Sequence, residues 1–416
     1  MSTNIKLMSL TFAILFLFNC SERERLNPLD PHNPNTHGAP QNVRIFSDRQ
    51  EAVLSWNSMD VNSILQYYIF KSEADSTNLV KYDSVSANVT QFRDTSIQYD
   101  SQYYYSIQAV TETDTSRKSK IVSLTPGRYN FLLADFYDHR ILELSYDGNY
   151  IIRVYNNISS TGIEIVDDQI FFIDMWGKNL QTIHDGSSVI LASLGAEPIE
   201  LITNRSENRF YIGCRDTDEL ITVSVRGDII SRQKMNFDIN FSTHMAYDSV
   251  YQNIWITSRD SNEIYLYSLN QDSTQLVSDE IDSPNEIEID ELGRAWIASA
   301  EGIIRIDPDL GMTRFFEDYY IYDIARNSEG DVYYSGVDNE TSEIGVIYNP
   351  VHSQMQDVIF RDKYNYIVSL TSIPEKTGTG LLLINAWTGE VYRINSDGNQ
   401  IGDSVFIYSI EDVALY

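Results

Sequence analysis

Residues 285–307, NEIEIDELGRAWIASAEGIIRID, decide the fold of this chain. They read as a short strand, a turn at Glu-Leu-Gly, a second strand, a turn at Glu-Gly and a third strand. The same order recurs in residues 244–269, HMAYDSVYQNIWITSRDSNEIYLYSL, and in residues 322–348, YDIARNSEGDVYYSGVDNETSEIGVIY. A recurring multi-strand unit indicates a fold built from copies of one small sheet.

The spacing of the copies indicates which repeat this is. The apolar residue that opens each first strand recurs every 36 to 46 residues, at Ile163, Ile199, Met245, Ile287, Ile324, about Val368, and Val413. This is the period of a four-stranded propeller blade. The C-terminal SIEDVALY is a first strand with nothing after it, whereas residues 131–155 supply three strands with nothing before them. We therefore predict an all-β, seven-bladed β-propeller over 128–416, closed by pairing of the C-terminal strand with the first blade. Six or eight blades remain open because the unit at 365–406 is irregular.

One repeat carries a resemblance. Residues 287–311, IEIDELGRAWIASAEGIIRIDPDLG, resemble the NHL and two-component-regulator types of propeller repeat, and more distantly the repeats of streptogramin lyase. The resemblance extends over 128–416 and implies the propeller fold. It implies little about function, because one fold serves many activities.

A different pattern occupies residues 40–126. Seven short alternating runs with polar turns predict an antiparallel β-sandwich. The opening Pro40, the Trp56 that ends AVLSW and the run YYYSIQAV starting at Tyr103 resemble the landmarks of a fibronectin type III domain. That resemblance implies a corner tyrosine at Tyr103 and a module that acts as a spacer.

The amino terminus has the features of an export signal. Residues 1–19 contain Lys6 followed by an apolar run too short to span a membrane comfortably, which predicts a signal peptide. The segment ending at Cys20 resembles a bacterial lipobox and implies a lipid on Cys20. The alternative is an ordinary signal peptide with a chance cysteine. Residues 20–39 are polar and proline-rich and predict an extended, lipidated tether. We expect a lipid-anchored protein of the bacterial cell envelope, at the outer membrane or the cell surface.

Composition excludes several classes of protein. The chain has 60 acidic and 30 basic residues, a formal net charge of −30, so it would be repelled by nucleic acids. Two cysteines rule out a disulfide framework. The common hydrolase, metalloprotease, P-loop and dinucleotide motifs do not occur. No residue is predicted to be catalytic.

Seven positions are predicted to face the propeller axis. Each is the residue just before the first apolar position of a first strand: Gly162, Pro198, His244, Glu286, Asp323, about Ile367, and Asp412. Carboxylates and an imidazole at equivalent ring positions predict a Ca²⁺ or Mg²⁺ site held by His244, Glu286, Asp323 and Asp412. The alternative is a solvated acidic funnel without an ion.

The loops that join second to third strands are expected to reach the same mouth of the channel. They carry the candidate binding residues His139, Trp176, Arg215, Arg259 and Trp387. Aromatic side chains beside arginines favour a peptide or glycan surface. Packing of the two tryptophans between blades is the alternative.

These features predict an envelope lipoprotein whose propeller is a non-catalytic binding module for a protein or glycan. Its lipid would be its only membrane contact, and nucleic acid would not be a partner. The alternative is a divalent-metal-dependent propeller enzyme of lactonase or lyase type, using His244, Glu286, Asp323 and Asp412. A third hypothesis is a structural part of an envelope assembly.

Overall fold

The computed structural model describes residues 27–415, apart from residues 60–62, 74, 100, 129, 149, 318, 339–340, 349–355, 363–366, 375–378, 386–387, 396–397 and 408–409. The predicted signal peptide, Cys20 and Trp387 lie outside the described residues. The chain divides into two compact units, Met1–Pro126 and Gly127–Tyr416. All regular elements in the described part are β-strands. No helix there is long and apolar enough to cross a membrane.

Two antiparallel sheets are present among the described residues of the first unit. The three-stranded sheet has the order β1-β2-β5, with β1 Arg44–Asp48, β2 Glu51–Ser55 and β5 Gln91–Asp94. The four-stranded sheet has the order β4-β3-β6-β7, with β3 Gln66–Glu73, β4 Val80–Ser86, β6 Tyr103–Val110 and β7 Val122–Leu124. Alternate residues of β2, β3 and β6 enter one shared core, because successive side chains of a strand point to opposite faces.

Two residues singled out by the sequence lie in or beside this core. Trp56 is buried and packs edge-on against Tyr67, with ring centroids 5.4 Å apart. The buried Tyr103 hydroxyl accepts a hydrogen bond from the Gln98 backbone N–H at 2.8 Å. The tyrosine therefore fastens its strand to the preceding loop.

Residues 27–39 form consecutive turns, not the extended segment that their prolines predicted. Backbone N–H groups of Asp30 and Asn33 bond to the carbonyls of Asn27 and Asp30, each at 2.9 Å. The Asn33 side chain is buried and accepts hydrogen bonds from the next turn. Asn and Asp side chains stabilise turns in this way, and this local effect outweighs the preference of proline for extended chain.

The second unit contains seven four-stranded antiparallel sheets among its described residues. The sheet that joins the two ends of the unit has the order β10-β9-β8-β35, with β8 Phe131–Asp135, β9 Arg140–Leu144, β10 Ile151–Asn156 and β35 Ile410–Leu415. The other six each take four consecutive strands in chain order. They are β11 Ser160–Val166, β12 Gln169–Asp174, β13 Asn179–His184, β14 Ser187–Ser193; β15 Pro198–Asn204, β16 Arg209–Cys214, β17 Glu219–Ser224, β18 Ile229–Lys234; β19 Thr243–Asp248, β20 Asn253–Ser258, β21 Glu263–Ser268, β22 Ser273–Ser278; β23 Ile287–Ile289, β24 Ala295–Ser299, β25 Gly302–Ile306, β26 Met312–Phe315; β27 Tyr320–Arg326, β28 Val332–Asp338, β29 Thr341–Ile347, β30 Gln356–Asp362; β31 Ile367–Pro374, β32 Thr379–Asn385, β33 Glu390–Ile394, β34 Gln400–Phe406.

Burial follows strand order within each sheet. Second strands such as β20 are almost wholly buried, whereas fourth strands such as β18 are mostly exposed. The core lies between neighbouring sheets. For example, the ring centroids of Phe171 in one sheet and Phe210 in the next are 4.8 Å apart. Trp255 and Trp296 are buried in second strands. Most of the hydrophobic stabilisation therefore comes from contacts between sheets.

Candidate functional site

The first strands of the sheets in the second unit enclose a cavity of about 560 Å³. Its wall is formed by parts of β11, β15, β19, β23 and β35. Because side chains alternate along a strand, only every second residue of each first strand points into the cavity. The titratable side chains among its lining residues are Glu164, Glu200, Arg205, His244, Tyr247, Glu286 and Glu288.

A β-bulge decides which residue of a first strand takes the ring position. In β15 the register shifts between Pro198 and Glu200, so that Glu200 pairs with Gly213 in the next strand. His244 holds the same place in its own sheet, where it pairs with Thr257. The predicted Pro198 is therefore replaced by Glu200. The same kind of bulge in β31 replaces Ile367 by Ser369.

His244 and Glu286 form an ion pair in the cavity. Nδ1 of His244 lies 3.2 Å from Oε2 of Glu286, and the two side chains are 26% and 34% exposed. Burial disfavours the imidazolium, but the carboxylates of Glu286, Glu200 and Asp323 outweigh it and raise the pKa of His244 to about 9. Burial likewise opposes the Glu286 carboxylate, yet His244 lowers its pKa below the ordinary value. Both groups are therefore charged at neutral pH.

Glu288 is two residues beyond Glu286 and is the middle residue of the short strand β23, which Glu286 immediately precedes. The period of a strand places both side chains on the cavity face. Burial, together with repulsion from Glu286, raises the pKa of Glu288 to about 7, against the opposing attraction of Arg326. A carboxyl group that titrates near neutrality can both take up and release a proton.

Asp323 is held differently from the other ring carboxylates. Its side chain is buried, and its two oxygens accept hydrogen bonds from the backbone N–H groups of Ile324 at 2.7 Å and Leu370 at 2.8 Å. Burial and repulsion from Glu286 still raise the pKa of Asp323 well above its usual range. Asp323 therefore ties β27 to β31 as well as facing Glu286.

The predicted metal site is not seen among the described residues. No three His, Cys, Asp or Glu side chains among the described residues converge to hold an ion. The described members of the predicted set are already engaged, His244 with Glu286 and Asp323 with two backbone N–H groups. Asp412 lies in β35 and pairs with Ala134, and its side chain is outside the described residues. The described residues therefore show no Ca²⁺ or Mg²⁺ site, and the predicted set that includes Asp412 stays a prediction.

The predicted binding residues that the structure describes lie on loops beside the start of the first strands. The backbone N–H of Arg215 bonds to the carbonyl of Glu197, and that of Arg259 to the carbonyl of Ser242. Nδ1 of His139 lies 2.6 Å from the Ser159 hydroxyl. Each accepting or facing residue comes shortly before a first strand, so these loops lie at the end of the sheets where the first strands begin.

Trp176 is exposed to solvent, whereas Arg215 is held by contacts with neighbouring side chains. Trp176 is 60% exposed, so it is not packed between sheets. Arg215 is bound to Glu197 at 2.6 Å and lies over the Phe241 ring at 4.5 Å from its centroid. The sequence analysis missed two residues of this region. Glu200 lines the cavity together with His244, and Phe241 lies against Arg215.

Comparisons with known proteins bear on the fold. No protein-family model and no curated protein matches the chain. The Pseudomonas aeruginosa periplasmic gluconolactonase matches 69% of this chain and 98% of its own, with a TM-score of 0.53 and 10% identity. A candidate 6-phosphogluconolactonase from Bacteroides uniformis matches 69% of this chain and 99% of its own, with a TM-score of 0.51 and 10% identity. Virginiamycin B lyase from Staphylococcus aureus matches 70% of this chain and 90% of its own, with a TM-score of 0.46 and 10% identity.

The similarity corrects one prediction and supports another. The two solved structures reported above with TM-scores over 0.5 carry the names of a gluconolactonase and a 6-phosphogluconolactonase. These names contradict the prediction of a non-catalytic binding module, which is therefore wrong. With its successive four-stranded sheets around one cavity, the Gly127–Tyr416 unit is a β-propeller.

Proposed function

We propose that the protein is a β-propeller hydrolase of lactonase type, with its active site in the central cavity. The observation that carries this is the His244–Glu286 ion pair facing the cavity beside Glu288. A cation that donates a hydrogen bond and a carboxylate that titrates near pH 7 are the two groups that ester hydrolysis needs. The names of the two solved lactonase-type propellers support this class of reaction.

In the proposed reaction His244 and Glu288 have separate roles. Nδ1 of His244 is bound to Glu286, which leaves Nε2–H to donate to the lactone carbonyl oxygen. Glu288 in its ionised form takes a proton from water as the water oxygen bonds to the carbonyl carbon. Collapse of the tetrahedral intermediate breaks the ring C–O bond, and Glu288 returns the proton to the departing alkoxide. The product is the open hydroxy acid, and no step passes through a metal ion.

The test offers the protein a panel of neutral five- and six-membered lactones. Hydrolysis of each lactone is measured as the acid that it releases. We expect His244→Gln and Glu288→Gln each to lower kcat/KM about 10² to 10⁴-fold, because each removes one acid, base or oxyanion contact. His184→Gln is the matched control, since His184 is exposed on a hairpin and does not line the cavity. Hydrolysis that is equally fast in all three variants, or absent from the wild type, would contradict the proposal.

The finer architecture is also part of the proposal. We infer that the seven sheets are seven blades of one closed ring, supported by the pairing of β35 with β8. We infer that the first unit is a fibronectin type III-like domain, supported by its two sheets, the buried Trp56 and the Tyr103 hydroxyl contact. The lipobox-like segment at Cys20 supports a lipid-anchored place in the cell envelope.

A further inference from the structure

Three exposed aromatic side chains stand on neighbouring loops of the propeller. They are Tyr137, Trp176 and Phe241, exposed by 73%, 60% and 54%, and together they are called the aromatic rim. We propose that the aromatic rim is a carbohydrate-binding surface that takes an uncharged oligosaccharide. This goes beyond the proposed hydrolysis, because it concerns a surface outside the cavity and does not require catalysis.

The rings of the rim are held in position from below. Phe136 is buried and lies between two of them, with ring centroids 5.5 Å from Tyr137 and 6.2 Å from Trp176. The Arg215 guanidinium lies 4.5 Å from the centroid of Phe241. Rings fixed in this way lose little conformational freedom when a ligand covers them. They therefore offer ready-made platforms for the C–H faces of sugar rings.

Two of the cations beside the rim are neutralised by carboxylates, whereas the Arg259 guanidinium donates to the Ser242 hydroxyl at 3.4 Å. Lys178 is bound to Asp216 at 2.6 Å, and Arg215 to Glu197 at 2.6 Å. Asp216 also accepts the backbone N–H of Glu197 at 2.7 Å, which joins the two pairs. The partnered cations have little attraction left for an anionic ligand, and the chain as a whole is strongly acidic. An uncharged ligand rich in hydroxyl groups suits such a surface.

The ion pairs near the aromatic rim favour a glycan over a protein as its ligand. Energetically dominant residues of a protein interface cluster in a contiguous core that excludes water. Here the ion pair of Lys178 with Asp216 and that of Arg215 with Glu197 lie among the loops that carry the aromatic rings. Aromatic rings with ion pairs on the same group of loops suit both the apolar faces and the hydroxyl edges of an oligosaccharide.

The experiment measures binding by the chain without its signal peptide, using tryptophan fluorescence and calorimetry. The probes are five neutral hexasaccharides, of glucose in β-1,4 and α-1,4 linkage, of mannose, of xylose and of N-acetylglucosamine, with hexagalacturonate as the anionic comparison. We expect at least one neutral probe to bind and hexagalacturonate to bind at least tenfold more weakly. Trp176→Ala and Tyr137→Ala should each weaken the binding of that neutral probe at least fivefold.

The control is Tyr251→Ala, an aromatic residue of 48% exposure on the hairpin between β19 and β20. Tyr251→Ala should leave the affinity for the neutral oligosaccharide unchanged. His244→Gln should also leave this affinity unchanged, because His244 belongs to the proposed hydrolysis site in the cavity and not to the aromatic rim. The urea midpoint of each variant shows that the fold is retained. The proposal is overturned if no neutral probe binds at 5 mM, if hexagalacturonate binds equally well, or if Trp176→Ala leaves the affinity unchanged. It is also overturned if no glycan binds and the protein instead captures a protein partner in a way that Trp176→Ala abolishes.

Discussion

The charge of His244 is set by its neighbours more than by its own chemistry. Burial alone would favour the neutral imidazole, but three carboxylates raise the pKa of His244 to about 9. A protonated imidazole can donate from Nε2 but has no lone pair with which to accept a proton. For this reason the proposed reaction gives the donor role to His244 and the base role to Glu288.

Replacing Glu286 tests this arrangement directly. We expect Glu286→Gln to move the pKa of His244 from about 9 toward its ordinary value of 6.5, because the carboxylate charge is lost. Glu200→Gln is the matched comparison and should lower the pKa less, since Glu200 acts through charge without a hydrogen bond. Proton NMR titration of the histidine rings from pH 5 to pH 10 measures both. An unchanged pKa in Glu286→Gln would contradict the ion pair.

The same pair makes stability depend on pH in a defined direction. The pKa of His244 is higher in the folded than in the unfolded chain, so its stabilising effect is complete below about pH 6.5 and is lost as the pH rises through about 9. The free energy of unfolding of the wild type should therefore fall between these values. In Glu286→Gln the fall should be smaller, as urea titrations at pH 6 and pH 9.5 would show.

Residue patterns predicted part of this site. His244 and Glu286 occupy equivalent positions in two repeats, which is why the sequence places both on the channel. Glu200 was missed because the alignment counted Pro198 as the facing residue. Proline has no backbone N–H to donate within a sheet and often marks the start of a strand or a β-bulge. Pro198 could therefore have indicated the bulge that turns Glu200 toward the channel.

Among the elements, the first hairpin of the sheet that contains Glu286 shows how the repeat motif works. Asp290 accepts backbone hydrogen bonds from Leu292 and Arg294, each at 3.0 Å. Its other oxygen accepts from the Arg294 side chain and from the buried Trp296 indole at 3.1 Å. One aspartate thus closes the turn and ties it to the core of the second strand. The repeat is recognisable in sequence because this turn needs particular residues.

Strand β35 is the element whose removal should matter most. Deleting residues 410–416 exposes the edge of β8 and removes Val413 from its contact with a buried cluster. We expect a loss of about 3 kcal/mol or more in the free energy of unfolding, measured by urea titration, together with self-association.

The comparison is a variant in which the fourth strand β18, Ile229–Lys234, is replaced by a Gly-Ser segment. That strand is mostly exposed and lies at the edge of its own sheet, so its replacement leaves the pairing of β35 with β8 intact. We expect a smaller loss of stability and no self-association. Equal losses in the two variants would argue against a special role for the closing strand.

At the scale of the whole molecule, charge should decide which lactones enter the cavity. The chain has a net charge of −30, and glutamates line the cavity. We expect kcat/KM for a phosphorylated lactone to be about tenfold or more below that of its neutral counterpart at 10 mM salt. The gap should narrow at 500 mM salt because exposed charges are screened. A preference for the phosphorylated lactone at low salt would refute this.

Fold and function differed in how far sequence could predict them. The sheets and the pairing of β35 with β8 follow from local hydrophobic alternation repeated along the chain, which a single sequence displays. The cavity draws its titratable residues from separate sheets, so no compact motif marks it. The predicted non-catalytic module was wrong for this reason. The metal site stays a prediction, because contacts such as that of Asp323 with Leu370 depend on packing between sheets, which a single sequence does not display.

The pairing of β35 with β8 also constrains how the protein is made. The ribosome synthesises β8, which ends at Asp135, long before it reaches Ile410 at the start of β35. The edge of β8 that pairs with β35 therefore stays unpaired while the other six sheets form. A contact between segments so distant in the chain is slow to form, and the waiting edge is prone to misassembly. Production of the active protein should therefore depend on chaperones that protect the nascent chain until translation ends.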